Sequence, residues 1–203
     1  MKWENHLMKS CADLFLFCIL CLIIYLIYTA PAQRSASISL IDLAARSEVF
    51  PPGWKIKSGD DWVSIPEKGL IDFGFPREAG YRVFVFSNNE NLRAFHWLFR
   101  YQNQWQANVA FSTTLSRIFL EKSDQKLLQV IDRKKSRANQ LRFGCTDMMS
   151  FSGTKQTRCI VMARYDELIT VFDAPLLLGV MGVDDIKEIF WAIDEQISDN
   201  LNQ

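Results

Sequence analysis

The sequence predicts an α+β domain that follows a transmembrane helix. Three observations lead to this prediction: an uncharged apolar run near the N-terminus, short apolar runs separated by turn residues in the middle, and a final segment with helical periodicity. After the anchor, the predicted order is helix, strands, helix, strands, helix, which is typical of a mainly antiparallel sheet covered by helices. The 203 residues suffice for one anchored globular domain.

The apolar run covers residues 14–32 and is just long enough for a helix to cross a bilayer. A cleaved signal peptide is an alternative, because the run ends in Ala-Pro-Ala, and a buried helix of a soluble domain is another. Lys2 and Lys9 precede the run, whereas Arg34 alone follows it closely, and this favours a cytoplasmic N-terminus. The predicted units are a stub and anchor at 1–32, a tether at 33–39 and an extracytoplasmic domain at 40–203.

The first half of the domain is predicted to hold a short helix, a turn and a three-stranded meander. Pro52 and Gly53 suit the central positions of a type II turn, because proline fixes a negative φ and glycine accepts a positive one. This turn leads Trp54 into the next strand. The helix is predicted at 38–49 and the strands at 70–75, 81–86 and 93–101.

The second half is predicted to hold two longer helices and three strands. Apolar residues at three- and four-residue spacing predict a helix over 103–120 that lays one face on the sheet. The same spacing recurs over 183–201, where Asp184 and Asp185 occupy the first turn and suit the helix dipole. A polar stretch lies at 122–140, and strands are predicted at 141–149, 157–165 and 167–172.

Cys145 and Cys159 are predicted to form a disulfide across a hairpin. If they face each other, Ser150 pairs with Thr154 and the loop is Phe-Ser-Gly, with glycine at the position that requires a left-handed residue. A disulfide indicates an oxidising compartment. The alternatives are buried free thiols, or a zinc site or catalytic cysteine, although the chain has only two histidines and neither lies near this hairpin in sequence.

The common signatures of catalysis and cofactor binding do not occur in the sequence. It has no glycine-rich phosphate loop, no HExxH and no GxSxG, so we predict no catalytic residue, metal or cofactor. Lysine plus arginine equals aspartate plus glutamate at 23 each, which argues against a nucleic-acid partner. His96 is the one histidine in the domain, and a structural role competes there with that of a general base.

Two sets of residues are candidate contact surfaces. The first is aromatic and would bind an apolar ligand or a protein partner: Trp97, Phe99, Tyr101 and Trp105. The second is basic and would contact an anionic surface: Arg133, Lys134, Lys135 and Arg137. For each set, a structural role, in the core or as a solvated loop, is the competing interpretation.

The sequence as a whole favours a single-pass membrane protein whose extracytoplasmic domain binds a partner or ligand. The bilayer itself is a predicted partner through residues 14–32, and the domain would serve as an interaction module or as an accessory subunit of a larger membrane complex. The alternative is an anchored or secreted hydrolase that uses His96 with acidic partners that the sequence does not identify.

Overall fold

The computed structural model describes residues 15–23, 25, 37–59, 61–120, 135–149 and 155–202. The chain divides into two compact units, Met1–Pro31 and Ala32–Gln203. In the first unit, residues 15–23 are helical and each of these side chains is exposed. No helix in the described part of the chain is both long enough and apolar enough to cross a membrane.

An antiparallel sheet forms the centre of the second unit. Its strands in the described residues are β1 (Trp54–Ile56), β2 (Val63–Ser64), β3 (Glu78–Phe86), β4 (Asn89–Arg100), β5 (Gln140–Met149), β6 (Lys155–Tyr165) and β7 (Leu168–Pro175). The strands lie in the order β1-β3-β4-β7-β6-β5, and β2 pairs with β3. Every one of these pairings is antiparallel.

Helices cover both faces of the sheet. They are α1 (Leu40–Leu43), α2 (Glu67–Leu70), α3 (Gln104–Ser112), α4 (Thr114–Leu120) and α5 (Val183–Leu201), with 3-10 turns at Ser47–Val49 and Ile71–Phe73. The predicted α+β class, with a mainly antiparallel sheet and helices, is therefore confirmed. The helix predicted at the C-terminus is present over the predicted residues.

Alternation along the strands separates two cores. On β4, Leu98 packs on one face with α1 and α5, whereas Phe99 packs on the opposite face with α3 and α4. The first core includes the apolar stripe of α5: Ile186, Ile189, Phe190, Ile193 and Ile197. The sheet is thus buried on both sides, which explains why its central strands are apolar on both faces.

The helix predicted at 38–49 is present only in part. It is interrupted after Leu43, where Ala44 has extended backbone angles of φ −73° and ψ 137°. The backbone of Ala44 and Ala45 instead binds two buried side chains of the sheet, Arg82 and His96. These tertiary hydrogen bonds replace the helical ones that the local sequence favours.

The strand predicted at 70–75 is wrong, because the segment is helical. Gly74 ends it with a φ of 77°, and the N–H of Phe75 donates to the carbonyl of Leu70 at 3.1 Å. The N–H of Gly74 donates to Ile71, so the two bonds form a Schellman-type cap. A short apolar run fits a strand or a helical turn equally well, and here the glycine cap decides.

The predicted helix over 103–120 is divided into α3 and α4. The break lies at Thr113, whose φ of −118° and ψ of −80° are not helical. The hydroxyl of Thr113 donates to the carbonyl of Val109 at 2.7 Å. The apolar face nevertheless continues across the break, since Phe111 and Leu115 share one core.

The turn and hairpin predictions hold for the described residues. Gly53 has a φ of 92°, and the N–H of Trp54 donates to the carbonyl of Pro51, as a turn centred on Pro52 and Gly53 requires. In the β5–β6 hairpin, Cys145 lies directly opposite Cys159. The predicted Ser150–Thr154 pair and the three residues between them lie outside the described residues.

Candidate functional site

His96 lies at the centre of the sheet and is completely buried. Its Nδ1 accepts a hydrogen bond from the Ala45 N–H at 2.8 Å, so the ring proton of the neutral imidazole sits on Nε2. Nε2 is 2.6 Å from the hydroxyl of Thr170 on β7 and donates to it. Both ring nitrogens are therefore engaged in bonds that join two strands and the segment after α1.

The surroundings of His96 oppose its protonation. Burial, together with the positive charge of Arg82 on the neighbouring strand, lowers the pKa of His96 to about 3. Arg82 is itself held by the carbonyls of Ala44, Ala45 and Asp61. Among the described residues, no carboxylate forms a hydrogen bond with His96. The site has no acidic partner and no exposed ring atom, so it gives no support to the alternative of a hydrolase.

The predicted aromatic surface is divided between core and surface. Phe99 and Tyr101 are completely buried, and the hydroxyl of Tyr101 donates to the carbonyl of Phe73 at 2.7 Å. Trp97 is half-buried, and Trp105 on α3 is exposed. The expectation of one four-residue contact surface is therefore corrected. Phe99 and Tyr101 are unavailable because α3 and α4 lie over them.

Trp97 belongs to a packed row of rings rather than to an open cleft. Its indole lies 4.3 Å from the Tyr81 ring and 6.0 Å from the rings of both Phe73 and Phe119, measured between centroids. It is also stacked with Phe99. Such a row stabilises the sheet by burial and ring contacts, and this is the structural role that competed with ligand binding.

The basic run is tied to α5 by acidic residues. Arg137 forms an exposed ion pair with Asp199 at 2.6 Å, and its backbone N–H donates to the buried carboxylate of Asp194. Lys135 is exposed, and Arg133 and Lys134 lie outside the described residues. Arg137 is thus partly neutralised, which leaves Lys135 as the one described member that could meet an anionic surface.

Asp194 is a buried carboxylate that the sequence analysis did not identify. It accepts hydrogen bonds from the hydroxyl of Ser136 at 2.8 Å and from the hydroxyl of Tyr165 at 2.5 Å, in addition to the N–H of Arg137. Burial raises the pKa of Tyr165, and the nearby Asp194 charge adds to this effect. These hydrogen bonds hold the segment before β5 against α5 and against the end of strand β6.

Cys145 and Cys159 form a disulfide, as predicted. Both residues are buried in the core beneath α5, with 2% and 0% of their surfaces exposed. The bond crosses two adjacent strands at a directly opposed pair. A reductant cannot reach these sulfur atoms without opening of the hairpin, so the bond is a structural crosslink.

Among the described residues, the large apolar side chain with the greatest exposure is Leu178, in the loop between β7 and α5 that we call the Leu178 loop (residues 176–182). A bridge between Leu177 and Met181 closes it, and Gly179 takes a φ of 77° at the tip. The side chain of Leu178 is fully exposed. The sequence signal that could have identified the loop is three consecutive leucines directly before Gly179.

An open groove of about 840 Å³ runs beside the Leu178 loop. It is lined on one side by the loop and the first residues of α5, and on the other by Pro51 and Pro52 of the first turn. The indole N–H of Trp54 donates to the carbonyl of Val180 and so ties these two walls together. The groove is mainly apolar, and it is in the size range of sites that bind small molecules or peptide side chains.

Metal binding finds no support in the described part of the chain, where no three His, Cys, Asp or Glu residues are grouped to hold an ion. Comparison with models of protein families gives no match. Comparison with curated proteins also gives no significant match.

Proposed function

We propose that the protein is a membrane-anchored interaction module whose disulfide-bonded α+β domain binds a protein partner outside the cytoplasm. The observation that carries the proposal is the exposure of Leu178, whose side chain stands fully in solvent beside an apolar groove. A leucine in this position costs solvation free energy in an isolated domain, and exposed apolar patches of this kind are typical of contact sites. An accessory subunit of a larger membrane complex fits this description.

The anchor part of the proposal is supported by the first unit of the chain. Residues 14–32 carry no charged side chain. In the described helical segment the large apolar side chains face solvent, with Phe15, Leu16 and Phe17 more than 60% exposed. A helix that is apolar all round requires an apolar environment, which a bilayer provides.

The extracytoplasmic part of the proposal is supported by the disulfide and by the charge bias across the apolar run. Structural disulfides are rare in reducing compartments. Lys2 and Lys9 on the N-terminal side outnumber Arg34 on the other side, which favours retention of the N-terminus in the cytoplasm. Both signals agree in direction.

Topology is tested with reporter cysteines in intact cells. Because Cys145 and Cys159 are buried, we would replace Cys11, Cys18 and Cys21 by serine and introduce Glu90→Cys, at an exposed position away from the groove, as the reporter. We expect a membrane-impermeant maleimide to label this cysteine without opening the cells. A matched Lys2→Cys reporter should be labelled only after opening. The reverse pattern would place the domain in the cytoplasm and end the proposal.

Partner binding is tested with a photo-crosslinking amino acid at position 178 in native membranes. We expect one discrete adduct from this position and none from Glu90, an exposed residue of the β3–β4 hairpin. In a second experiment the crosslinker is placed at Pro52, on the other wall of the groove. Leu178→Asp should then abolish the adduct that is formed from position 52, without lowering thermal stability. If the Asp variant leaves the adduct unchanged, the groove is not the contact site.

A further inference from the structure

A second, polar cavity lies on the opposite side of the sheet from α5. It has a volume of about 350 Å³ and is formed between α3 and the beginning of the edge strand β5. Its lining consists of Phe111, Ala138, Asn139, Gln140, Leu141 and Arg142. None of these residues lines the groove beside the Leu178 loop, so the cavity is independent of the proposed partner site.

The guanidinium of Arg142 is held in a fixed position in this cavity. It lies over the ring of Phe111, with 5.3 Å between Cζ and the ring centroid. Its Nη1 donates to the hydroxyl of Ser116 on α4, and that hydroxyl donates in turn to the carbonyl of Phe111. The stacking and the hydrogen bond orient the charged group, and no described residue accepts a hydrogen bond from its Nε or Nη2.

Among the described residues, Arg142 has one hydrogen-bond acceptor, the hydroxyl of Ser116, whereas the other buried arginines of the sheet are held by carboxylates or by several carbonyls. Arg82, for example, donates to the carbonyls of Ala44, Ala45 and Asp61. Arg158 forms an ion pair with Asp173 at 2.8 Å, and Arg100 forms one with Glu78 at 2.6 Å. Arg164 donates to the carbonyl of Asp166. In the described part of the chain, no carboxylate pairs with Arg142. A partly desolvated guanidinium without an anion is a site that favours one.

The amide oxygens of the lining each accept a hydrogen bond from another part of the protein. The Oδ1 of Asn139 accepts from the N–H of Asp166, and the Oε1 of Gln140 accepts from the Nε of Arg164. The amide group of Gln140 donates to Asn108. Arg142 and the Nδ2 of Asn139 therefore provide donors at the cavity, and donors favour an acceptor-rich ligand.

We propose that this cavity binds the oxyanion group of a small ligand, a carboxylate or a phosphate, through the guanidinium of Arg142. Both groups match the planar fork of arginine, which can donate two parallel hydrogen bonds. The volume lies near the lower limit for small-molecule sites, so the ligand is a small anion or the anionic end of a larger molecule. The neighbouring ring of Phe111 provides an apolar contact beside the charge.

The proposal is tested by titrating the full-length protein in detergent micelles with sodium phosphate and, separately, with sodium acetate. The readout is the side-chain Nε–H resonances of arginine in an isotope-labelled sample, and the Arg142→Gln variant identifies the resonance of Arg142. We expect this resonance to shift and saturate at millimolar concentration of at least one anion at constant ionic strength. The anion that saturates at the lower concentration distinguishes a phosphate ligand from a carboxylate ligand.

Three variants make the test specific. Arg142→Lys keeps the charge but loses the fork, and Ser116→Ala releases the guanidinium, so each should weaken binding by about tenfold. Arg117→Gln removes one positive charge from an exposed position on α4, the helix that carries Ser116, and should leave the affinity unchanged. The Asn139 backbone amide provides a second reporter in all variants.

Two results would overturn the proposal. The first is a wild-type titration in which the Arg142 resonance shifts linearly with both anions and does not saturate. The second is a loss of affinity in Arg117→Gln equal to that in Arg142→Lys, because this would show a general effect of surface charge. If Arg142→Gln does not fold, the wild-type titration and the Ser116→Ala variant still decide the outcome.

Discussion

The imidazole Nδ1 of His96 and the backbone N–H of Ala45 form a buried hydrogen bond of 2.8 Å across 51 residues of sequence. It joins the middle of the sheet to the segment that leaves α1, and the adjacent Arg82 adds two bonds to the same segment. The histidine therefore acts as a tertiary connector. This role explains why a residue that could serve as a base is enclosed by hydrogen bonds.

Replacement of His96 should reveal this role through stability. In His96→Leu the N–H of Ala45 and the hydroxyl of Thr170 lose their partner, and each unsatisfied buried group costs about 1–3 kcal/mol. We expect a loss of about 3 kcal/mol in the free energy of unfolding, measured with urea. His96→Asn, whose Oδ1 can replace Nδ1 as acceptor, should lose less. Equal losses would show that the Ala45 bond contributes little.

The low pKa of His96 predicts a dependence of stability on pH. The unfolded histidine titrates near 6.5, whereas the folded one titrates at about 3, so between these values the unfolded state binds one more proton. The His96 contribution is complete above pH 6.5 and is lost as the pH falls through this window, with a maximum slope of about 1.4 kcal/mol per pH unit. Arg82 is the charged group beside it.

The measurement for this dependence compares wild-type protein with His96→Asn by urea unfolding at pH 7, 6 and 5. The carboxylates titrate in both proteins, so the difference between the two isolates His96. We expect the stability advantage of the wild type to fall by about 2 kcal/mol between pH 7 and pH 5. A difference that stays constant over this range would show that the pKa of His96 is the same in the folded and the unfolded state.

The sequence predicted best where two independent constraints agreed. In the β5–β6 hairpin, a loop with glycine at the left-handed position and a disulfide between facing cysteines both favoured Cys145 opposite Cys159, and the structure has this register. The C-terminal helix combined strong periodicity with acidic residues in its first turn. Long, regular patterns contain enough information to determine an element, because a shift by one residue would expose the apolar face.

The errors arose at positions where tertiary contacts or packing, and not the local sequence, determine the structure. The sequence predicted a strand over 93–101 and an aromatic contact surface that includes Phe99 and Tyr101, but it could not show that α3 and α4 cover these two side chains. Asp194 lies within the apolar stripe of α5, between Phe190 and Ile197. An acidic residue on the buried face of a helix could have indicated a buried polar contact there. The Arg142 cavity depends on elements far apart in the chain, so no local pattern indicates it.

The disulfide should contribute to stability chiefly by restricting the unfolded chain. Closing this 15-residue loop contributes about 3 kcal/mol in the chain-entropy model. We therefore expect the double variant Cys145→Ala/Cys159→Ala to lose about this amount in urea unfolding. Cys18→Ser/Cys21→Ser, which changes two exposed cysteines, is the matched control and should not change the midpoint. An unchanged midpoint in the first variant would contradict the structural role of the bond.

Asp194 and Asp199 offer a comparison between a buried and an exposed carboxylate on the same helix. Asp194→Ala leaves the hydroxyl of Tyr165 and the N–H of Arg137 without an acceptor, so we expect a loss of about 3 kcal/mol. Asp199→Ala breaks only an exposed ion pair with Arg137, which contributes at most about 1 kcal/mol. Thermal and urea unfolding measure both. Losses of similar size would show that Asp194 is not the anchor of this segment.

Phe75 combines a strained backbone with an exposed side chain. Its φ is 56°, and 68% of its surface is accessible to solvent. A left-handed conformation costs a residue with a side chain about 1–2 kcal/mol, and glycine avoids this cost. Phe75→Gly should therefore be more stable than Phe75→Ala by about 1 kcal/mol in urea unfolding, after allowance for the greater flexibility of glycine in the unfolded chain.

The alanine variant is the control for this prediction, because it removes the same ring and keeps the strain. We expect Phe75→Ala to be close to the wild type, since the exposed ring contributes little burial. If alanine and glycine are equally stable, the left-handed conformation of Phe75 is not maintained in solution. If glycine is the more stable of the two, the fold holds an exposed aromatic ring in place at a measurable cost. In that case Phe75 becomes the next position at which to introduce a crosslinker.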